Sequence, residues 1–411
     1  MYISSYNSDI HKFWIFLFIN RVLAKELENA FSVYPVVTLI GPRQSGKSTL
    51  VKALFPKLPY VNLESPNQMA IAKADPVAFI KQYQEGAIID EVQNLPELLS
   101  YIQVHVDEKK KNGLFVLTGS HQLALHEAIA QSLAGRTAVL QLLPLSLAEL
   151  LVHQTKQPIA GVDIDSLLIK GFYPRTYECA VEPYRFYEDY VSTYLERDVR
   201  KLTNLKDIIL FQNFMVLCAS RIGQVINQQS MANDLGVSCT TISQWLSILE
   251  ASFVIVRLKP YFENLGKRII KSPKLYFVDV GLASHLNGIE SLAEIQKSPL
   301  KGALVENLVV IELFKHRYNL GKSPNLYFFR DSHQNEVDLI YKHADQLTPI
   351  EIKNGQTFNP RFLKGLHYFR ALAPNRVKNG YLLYKGDVQQ QVQGFYLLNM
   401  MNLDSVLSAD K

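Results

Sequence analysis

The chain has 411 residues, which is too long for one ordinary hydrophobic core and predicts two to three domains. With 48% hydrophobic and 20% charged residues, its composition is that of a globular protein and excludes a disordered or fibrous one. Its 43 Lys and Arg residues against 38 Asp and Glu residues give a net charge of +5, which is too small over this length to indicate nucleic-acid binding by itself.

The amino-terminal segment FWIFLFI, residues 13–19, is apolar but shorter than the roughly 20 residues that a membrane span needs. No small-residue cleavage site follows it, so we expect residues 1–22 to be an extension that leads into a first helix, with no membrane partner. The cysteines Cys179, Cys218 and Cys239 have neither C-x-x-C nor zinc-ligand spacing. This favours a reducing, cytoplasmic location without a structural metal.

Short β-branched runs alternate with helix-length segments through the first 140 residues. Continuous apolar runs of this kind are typical of strands that are covered on both faces, as in a parallel sheet with crossover helices. We therefore predict an α/β core over residues 23–144. The five runs are PVVTLI, YVNLE, GAIIDE, GLFVLTGS and TAVLQLLPLS.

The stretch GPRQSGKST follows the first of these strands and matches the phosphate-loop pattern G-x-x-x-x-G-K-[ST]. Its glycines let the backbone curl so that amide hydrogens face a phosphate chain, while Lys47 reaches the β and γ phosphates and Ser48 offers its hydroxyl to Mg²⁺. The predicted cofactors are therefore ATP and Mg²⁺. The residues expected to hold the nucleotide are Gly41, Pro42, Arg43, Gln44, Ser45, Gly46, Lys47, Ser48 and Thr49.

The strand AIIDE supplies the acidic residues that ATP hydrolysis needs. Asp90 is predicted to hold Mg²⁺, and Glu91 to polarise the attacking water. At the end of LFVLTGS, Thr118 or Ser120 could sense the γ-phosphate, or both could be ordinary turn residues. Arg136 in SLAGRT is a candidate arginine finger, in cis or from a neighbouring subunit of a homo-oligomer, and otherwise an ordinary surface arginine.

After the core, strands give way to a helical connector over residues 145–210, and residues 211–280 have the spacing of a helix-turn-helix with a wing. The second helix carries polar side chains but no Arg or Lys, so phosphate contact by the wing is favoured over base readout. A rigid connector fits the same pattern. The basic and aromatic residues of the wing are Arg257, Lys259, Tyr261, Phe262, Lys267, Arg268, Lys271 and Lys274, against one acidic residue, Glu263.

Residues 281–411 are predicted to form a separate mixed α/β unit. Asp338 in NEVDLI, with Glu351 and Lys353 in PIEIK, fits the D…E-x-K pattern of metal-dependent nucleases. Glu306 in the preceding helix would add a further carboxylate, so that Glu306, Asp338 and Glu351 would be the metal ligands. The pattern E-x-K is common by chance, and such units can also bind nucleic acid without cutting it.

Several motifs together resemble the bacterial and archaeal AAA-type ATPases that carry a C-terminal domain of unknown function. The resemblance implies an AAA-like ATP-binding core, a winged-helix segment and a restriction-endonuclease-like C-terminal fold of the PD-(D/E)xK type. One departure is Phe172 in GFYPR, where a second glycine is common. The motifs are LIGPRQSGKSTL, IIDEVQNLPELL, FVLTGS, SLAGR, GFYPR, YLERDV, KLYFVDVGL and EVDLI…PIEIK.

The expected function is ATP hydrolysis coupled to a nucleic acid, most naturally DNA. The C-terminal unit is expected to bind or cut this nucleic acid. The alternative is a nucleotide-dependent switch whose C-terminal unit docks a partner protein. Stimulation of ATPase activity by DNA or RNA distinguishes the two.

Overall fold

A computed structural model describes residues 19–120, 129, 131–156, 163–178, 181–195, 208–262, 271–403 and 406. Among the predictions, the extension up to residue 18, Cys179, the motif YLERDV after residue 195, and the wing residues Glu263, Lys267 and Arg268 lie outside these ranges.

The amino-terminal α/β core contains a five-stranded sheet in the order β2-β3-β4-β1-β5, and every pair of neighbouring strands is parallel. This confirms the parallel sheet predicted from the apolar runs. The strands are β1 (Val36–Ile40), β2 (Tyr60–Asn62), β3 (Ala87–Asp90), β4 (Phe115–Gly119) and β5 (Thr137–Gln141). The helices are α1 (Ala24–Val33), α2 (Lys47–Leu54), α3 (Pro66–Ala74), α4 (Pro76–Lys81) and α5 (Leu98–Lys109).

Strand β1 is buried along its whole length because the sheet is covered on both faces. Val37 and Leu39 belong to one hydrophobic cluster, whereas Val36 and Ile40 belong to another, as the two-residue period of a strand requires. The carboxyl ends of all five strands meet at one edge of the sheet, which is where ligands bind in folds of this kind.

Helices follow the core, as predicted. The connector consists of α6 (Leu147–Lys156), α7 (Ile164–Lys170), α8 (Arg175–Glu178) and α9 (Pro183–Tyr190), which continues as a π-helical turn, Val191–Leu195. The following segment contains α10 (Ile208–Ser220), α11 (Gln228–Leu235), α12 (Cys239–Ala251), β6 (Ile255–Leu258) and β7 (Lys274–Phe277).

A short turn separates α11 from α12, and local interactions explain both the end of α11 and the start of α12. Gly236 ends α11 with a φ of 66°, which glycine adopts without strain. Ser238 begins α12, since its hydroxyl oxygen accepts a hydrogen bond of 3.0 Å from the Thr241 amide. The inward-facing residues of α12, Ile242 and Leu246 among them, are fully buried. Strands β6 and β7 then pair antiparallel.

The C-terminal unit is a mixed six-stranded sheet in the order β12-β13-β11-β10-β9-β8, with helices packed against it. Its helices are α13 (Val280–Leu286), α14 (Leu292–Lys297), α15 (Lys301–Asn319) and α16 (Lys364–Leu372). Its strands are β8 (Leu326–Arg330), β9 (Glu336–His343), β10 (Gln346–Lys353), β11 (Tyr381–Tyr384), β12 (Gln390–Val392) and β13 (Phe395–Asn399). Among the helices in the described ranges, none combines the length and apolarity that crossing a membrane requires.

Candidate functional site

The predicted phosphate loop connects β1 to α2 at the carboxyl edge of the parallel sheet. Two glycines are structurally required there: a Cβ on Gly41 would lie 2.1 Å from the Leu142 carbonyl oxygen, and Gly46 has a φ of 91°. Lys47 is buried, and its Nζ donates hydrogen bonds to the carbonyl oxygens of Gly41 (2.9 Å) and Pro42 (2.8 Å). The ammonium group is thus held inside the loop, where phosphate oxygens would compete for it.

Asp90, at the end of β3, accepts hydrogen bonds from three hydroxyl groups. Ser48 Oγ lies 2.8 Å from Asp90 Oδ2, and the hydroxyls of Thr118 and Tyr60 also donate to this carboxylate. Burial, followed by the charge of Asp90, raises the pKa of Tyr60. The structure therefore brings Ser48, Asp90 and Thr118 together, as the sequence indicated. Tyr60 was missed, because its only signal was its position on the neighbouring strand β2.

Glu91 follows Asp90 in a left-handed backbone conformation, with a φ of 57°, and only 8% of its surface is exposed. Ser120 Oγ donates to Glu91 Oε2 at 2.9 Å, and the side-chain amide of Gln93 donates to the same oxygen. Arg43 lies 4.0 Å from the other oxygen. Ser120, one of the two candidate γ-phosphate sensors, therefore orients Glu91 here, and Gln93 is a further contributor that the sequence did not single out.

In the C-terminal unit, the structure also brings Asp338, Glu351 and Lys353 together on the adjacent strands β9 and β10. Lys353 Nζ lies 2.6 Å from Glu351 Oε1 and 3.2 Å from Asp338 Oδ2. The amide of Ile352 donates to Asp338 Oδ2 at 2.8 Å. Burial and the neighbouring charge of Asp338 raise the pKa of Glu351 to about 8.

Glu306, on α15, belongs to a second cluster around Lys274, which comes from β7. Lys274 Nζ lies 3.1 Å from Glu306 Oε1 and 2.5 Å from Glu336 Oε1, and the Tyr276 hydroxyl donates to Glu306 at 2.6 Å. Burial raises the pKa of Glu306. Lys274 is only 2% exposed, so it does not belong to the basic surface of the wing to which its sequence neighbours assigned it.

The predicted metal ligands are divided between two lysines, since Asp338 and Glu351 share Lys353, whereas Glu306 pairs with Lys274. Within the described ranges, no three carboxylate, histidine or cysteine side chains converge closely enough to hold a metal ion. Two ammonium groups supply countercharge to these carboxylates. Lys353 bridges Asp338 and Glu351, and Lys274 bridges Glu306 and Glu336. Metal binding by Glu306, Asp338 and Glu351 stays a prediction.

Comparisons with known proteins match the chain in three successive parts. The matching family models are an AAA domain over residues 33–151 and two domains of unknown function, DUF8612 over residues 162–293 and DUF4143 over residues 301–403. An uncharacterized protein of Mycobacterium tuberculosis is 29% identical over 340 residues, which cover 82% of this chain and 74% of the relative. An uncharacterized protein of Haemophilus influenzae is 24% identical over 351 residues, covering 77% of this chain and 82% of the relative.

Among solved structures, a Walker-type ATPase of Pyrococcus abyssi is 16% identical with a TM-score of 0.46, and the match covers 64% of this chain and 94% of that one. The family match and the geometry of the phosphate loop agree. Residues 33–151 are an AAA-type P-loop ATPase domain. The restriction-endonuclease-like nature of the C-terminal unit stays a prediction.

Arg136 does not reach the nucleotide site of its own AAA domain. It precedes β5, at the amino edge of the parallel sheet, and a five-residue strand about 16 Å long separates this edge from the edge that carries the phosphate loop. Its guanidinium pairs with Asp107 through Nε (2.6 Å) and a second nitrogen (2.8 Å). The in-cis form of the arginine-finger prediction is therefore wrong. A role in a neighbouring subunit stays a prediction.

A different arginine, Arg175 of α8, lines the cavity above the phosphate loop of the AAA domain. This cavity has a volume of about 550 Å³ and is also lined by Lys47, Ser48, Glu91 and Glu178. The Arg175 side chain is exposed, and it forms no hydrogen bond or ion pair with any residue in the described part of the chain. The sequence contained Arg175 within the motif GFYPR, but nothing in the motif indicated that it faces the nucleotide.

The motif GFYPR is fixed in place by a buried carboxylate from the distant motif KLYFVDVGL. Asp279 Oδ2 accepts a hydrogen bond from the Phe172 amide (2.7 Å), and Oδ1 accepts one from the Tyr187 hydroxyl (2.6 Å). The Phe172 ring, which replaces the common glycine, packs under the ammonium group of Lys315 at 3.8 Å from the ring centroid. The segment that precedes Arg175 is therefore held by packing rather than by a flexible glycine pair.

A second arginine, Arg21, ties the phosphate loop to the connector. Its guanidinium donates to the carbonyl oxygens of Ser45 (2.7 Å) and Leu143 (2.6 Å) and to the Glu149 carboxylate (3.1 Å), and it is 7% exposed. The sequence gave no signal for this role, because its partners lie up to 128 positions away along the chain.

Proposed function

We propose that this protein hydrolyses Mg²⁺-ATP and couples hydrolysis to nucleic acid that its C-terminal half binds without cutting. The observation that carries the ATPase part is the contact between Ser48 and Asp90 beside the buried Glu91. These residues would supply a hydroxyl, a carboxylate and a general base at the mouth of the phosphate loop of the AAA domain.

The residues fit Mg²⁺, since the Ser48 hydroxyl and the Asp90 carboxylate are the hard oxygen ligands that this cation prefers. When bound, Mg²⁺ would offset charge on the β and γ phosphates. Lys47 would exchange its two carbonyl partners for phosphate oxygens. Glu91, held by Ser120 and Gln93, would orient a water molecule and accept its proton as the water oxygen bonds to the γ-phosphorus and the bond to the ADP oxygen breaks.

Negative charge that develops on the transferring phosphoryl group also needs a cation from outside the loop. Arg175 fits this role, since it lines the same cavity and its guanidinium makes no ion pair with the described residues. The connector that carries it would thereby respond to the state of the nucleotide.

Titration calorimetry and phosphate release test this proposal. We expect wild-type protein to bind Mg²⁺-ATP, Lys47→Ala to lose the binding heat, and Glu91→Gln to keep binding while turnover falls about a hundredfold. Lys57→Ala, which changes an exposed lysine just after α2, is the matched control and should behave as wild type. Wild-type turnover in Glu91→Gln would remove Glu91 from the mechanism.

The proposed association with nucleic acid is supported by two exposed lysines, Lys259 and Lys271, and by the exposed ring of Phe262, all of which follow β6. We expect single-stranded DNA or RNA to stimulate the ATPase activity at least about threefold at low salt, less so as salt rises. A nucleotide switch that docks a partner protein would show no stimulation by either nucleic acid.

Binding without cutting is supported by the two lysines that pair with the C-terminal carboxylates. With Mg²⁺ or Mn²⁺ present, wild type, Asp338→Ala and Lys353→Ala should all leave single-stranded and duplex DNA and RNA intact. Cleavage by the wild type that both variants lose would show a metal-dependent nuclease and contradict this part of the proposal.

A further inference from the structure

A cavity of about 670 Å³ lies between the β6–β7 hairpin and the edge of the C-terminal sheet formed by β8 and β9. It is separate from the nucleotide cavity of the AAA domain, because the two share no lining residue. Neither the phosphate loop nor the C-terminal carboxylate cluster uses it.

The lining of this cavity is positively charged. Among the described residues that line it, four are basic, Arg257, Lys259, Lys271 and Lys342, and one is acidic, Glu250. Glu250 pairs with Arg257, whose Nε lies 2.8 Å from the carboxylate. Lys259 and Lys271 are both exposed, and neither side chain forms an ion pair with residues of the described ranges. The excess charge is therefore available to an anionic ligand.

Aromatic rings lie between these lysines. Phe262 lines the cavity and is 52% exposed, which is unusual for so large an apolar side chain. Tyr261, the preceding residue, is buried, with its ring 5.8 Å from Tyr327 in an edge-on arrangement. The cavity thus offers an exposed aromatic ring beside exposed positive charge.

The backbone around these side chains is fixed to the C-terminal sheet. The Tyr261 amide donates to the Phe328 carbonyl at 2.7 Å, and the Phe328 amide donates to the Lys259 carbonyl at 3.1 Å. These bonds join the end of β6 to β8, so the backbone from Lys259 to Tyr261 is fixed before any ligand arrives. Preorganisation of this kind lowers the entropic cost of binding.

We infer that this cavity binds one nucleotide of a single-stranded nucleic acid, with its base stacked on Phe262 and its phosphates beside Lys259 and Lys271. Alternating aromatic faces and lysines are how proteins hold single strands without reading their sequence. The bases of a duplex have no free face for the ring. This inference rests on the proposed association with nucleic acid and names its site.

Fluorescence anisotropy of a labelled oligothymidylate with the full chain tests the inference. We expect Phe262→Ala to weaken binding about tenfold, since stacking contributes roughly 1–3 kcal/mol per base. Phe262→Tyr should keep most of the affinity. Lys259→Ala and Lys271→Ala should each weaken binding and lower the slope of log affinity against log salt by about 0.7. Matched controls are Tyr101→Ala and Lys297→Ala, which remove exposed side chains far from the cavity along the chain.

Competition separates the contribution of the ring from that of the charge. Polyphosphate and poly-glutamate should compete weakly, and Phe262→Ala should not change their affinity. If wild type binds the oligonucleotide but the cavity variants match the controls, the site lies elsewhere and only this inference fails. If the wild type binds no nucleic acid, the inference and the nucleic-acid part of the proposed function both fail. A different result would identify a site for acidic protein segments. In that case poly-glutamate would bind as tightly as the oligonucleotide, and the lysine variants, but not Phe262→Ala, would lose this binding.

Discussion

At the scale of single residues, we expect opposite effects on ATP turnover from replacing Arg175 and Arg136. Arg175 lines the nucleotide cavity, whereas Arg136 lies at the far edge of the sheet and is paired with Asp107. We expect Arg175→Ala to lower ATP turnover at least about tenfold while changing the dissociation constant of ATP less than about threefold, because its charge acts mainly on the transition state. Phosphate release and titration calorimetry measure the two quantities.

Two further variants make this comparison decisive. Arg185→Ala, which removes an exposed arginine of α9, should leave turnover unchanged and controls for loss of positive charge from the connector. Arg136→Ala should also leave the turnover of the isolated chain unchanged. The contrary result is that Arg136→Ala loses turnover tenfold, but only at concentrations where the protein self-associates. That result would assign Arg136 to the nucleotide site of a neighbouring subunit.

The residues that the sequence identified in the AAA domain are those whose chemistry is local. Lys47 and Ser48 belong to a contiguous motif, and Asp90 and Glu91 end a strand that the apolar pattern locates. Arg175 could not be found in this way, because its approach to the loop depends on the hydrogen bond between Asp279 and the Phe172 amide, 107 positions apart in the chain. Such contacts are products of tertiary packing and leave no periodic trace.

At the scale of elements, the turn between β8 and β9 depends on one carboxylate. Asp331 accepts hydrogen bonds from the Tyr368 hydroxyl (2.6 Å), the His333 amide (2.8 Å) and the Asn335 amide (2.9 Å). Burial alone would raise the pKa of Asp331, but these hydrogen bonds outweigh it and lower the pKa to about 2. The ionised form is therefore the one that holds the turn.

The pH dependence of stability follows from the direction of this shift. A carboxyl group whose pKa is lower in the folded state stabilises the fold above its unfolded pKa of about 3.9 and loses that contribution as pH falls towards 2. We expect Asp331→Asn to melt several degrees below the wild type at pH 7, with the difference shrinking between pH 4 and pH 2. Circular dichroism melts across this range measure it.

Asp345→Asn is the control for Asp331→Asn, since Asp345 lies in the next turn with 85% of its side chain exposed. Its melting temperature should follow that of the wild type at every pH. A constant difference between Asp331→Asn and the wild type from pH 7 to pH 2 would show that the variant acts through packing and not through ionisation.

The elements themselves were largely predictable, and the exceptions have physical causes. Strands β1 to β11 coincide with apolar or alternating runs, because burial of one or both faces imposes that pattern. Strands β12 and β13 were not predicted. Gln390 and Gln391 of β12 are exposed at the edge of the sheet, so no apolar pattern marks that strand, and its pairing with β13 is a non-local contact.

At the scale of the whole molecule, helix α15 connects the C-terminal unit with the AAA domain through a buried ion pair. Lys315 Nζ lies 2.7 Å from Glu312 Oε1 and donates to the Leu145 carbonyl at 2.8 Å. The other oxygen of Glu312 accepts a hydrogen bond of 2.6 Å from the Leu147 amide. Residues 145–147 leave the AAA domain, so both charges of the pair hold the start of the connector.

The polar contacts continue from this pair to the phosphate loop. Glu149, two residues further along, pairs with Arg21, which donates to the Ser45 carbonyl in the loop. The sequence predicted the units at both ends of this path but not the contacts between them. The identity of a Glu or Lys in a helix does not show whether its side chain is buried or exposed. A structure was needed to show that α15 is covered by both units.

The last prediction concerns this path and uses a double-mutant cycle. Lys315→Met keeps the length of the side chain but leaves Glu312 buried without its ammonium partner, which should cost about 3 kcal/mol of unfolding free energy. Glu312→Gln combined with Lys315→Met removes both charges and keeps the hydrogen bond that the Leu147 amide donates. It should therefore recover most of that loss, and urea denaturation followed by fluorescence would show a coupling well outside additivity.

The same variants show whether the path affects the nucleotide site. If the pair positions residues 145–149 and, through Arg21, the phosphate loop, Lys315→Met should also weaken ATP binding at temperatures where the protein is fully folded, and the double variant should restore it. Lys301→Met is the matched control, since Lys301 begins the same helix but pairs with Asp165 of α7. Destabilised Lys315→Met with wild-type ATP affinity would confine the ion pair to holding the two units together.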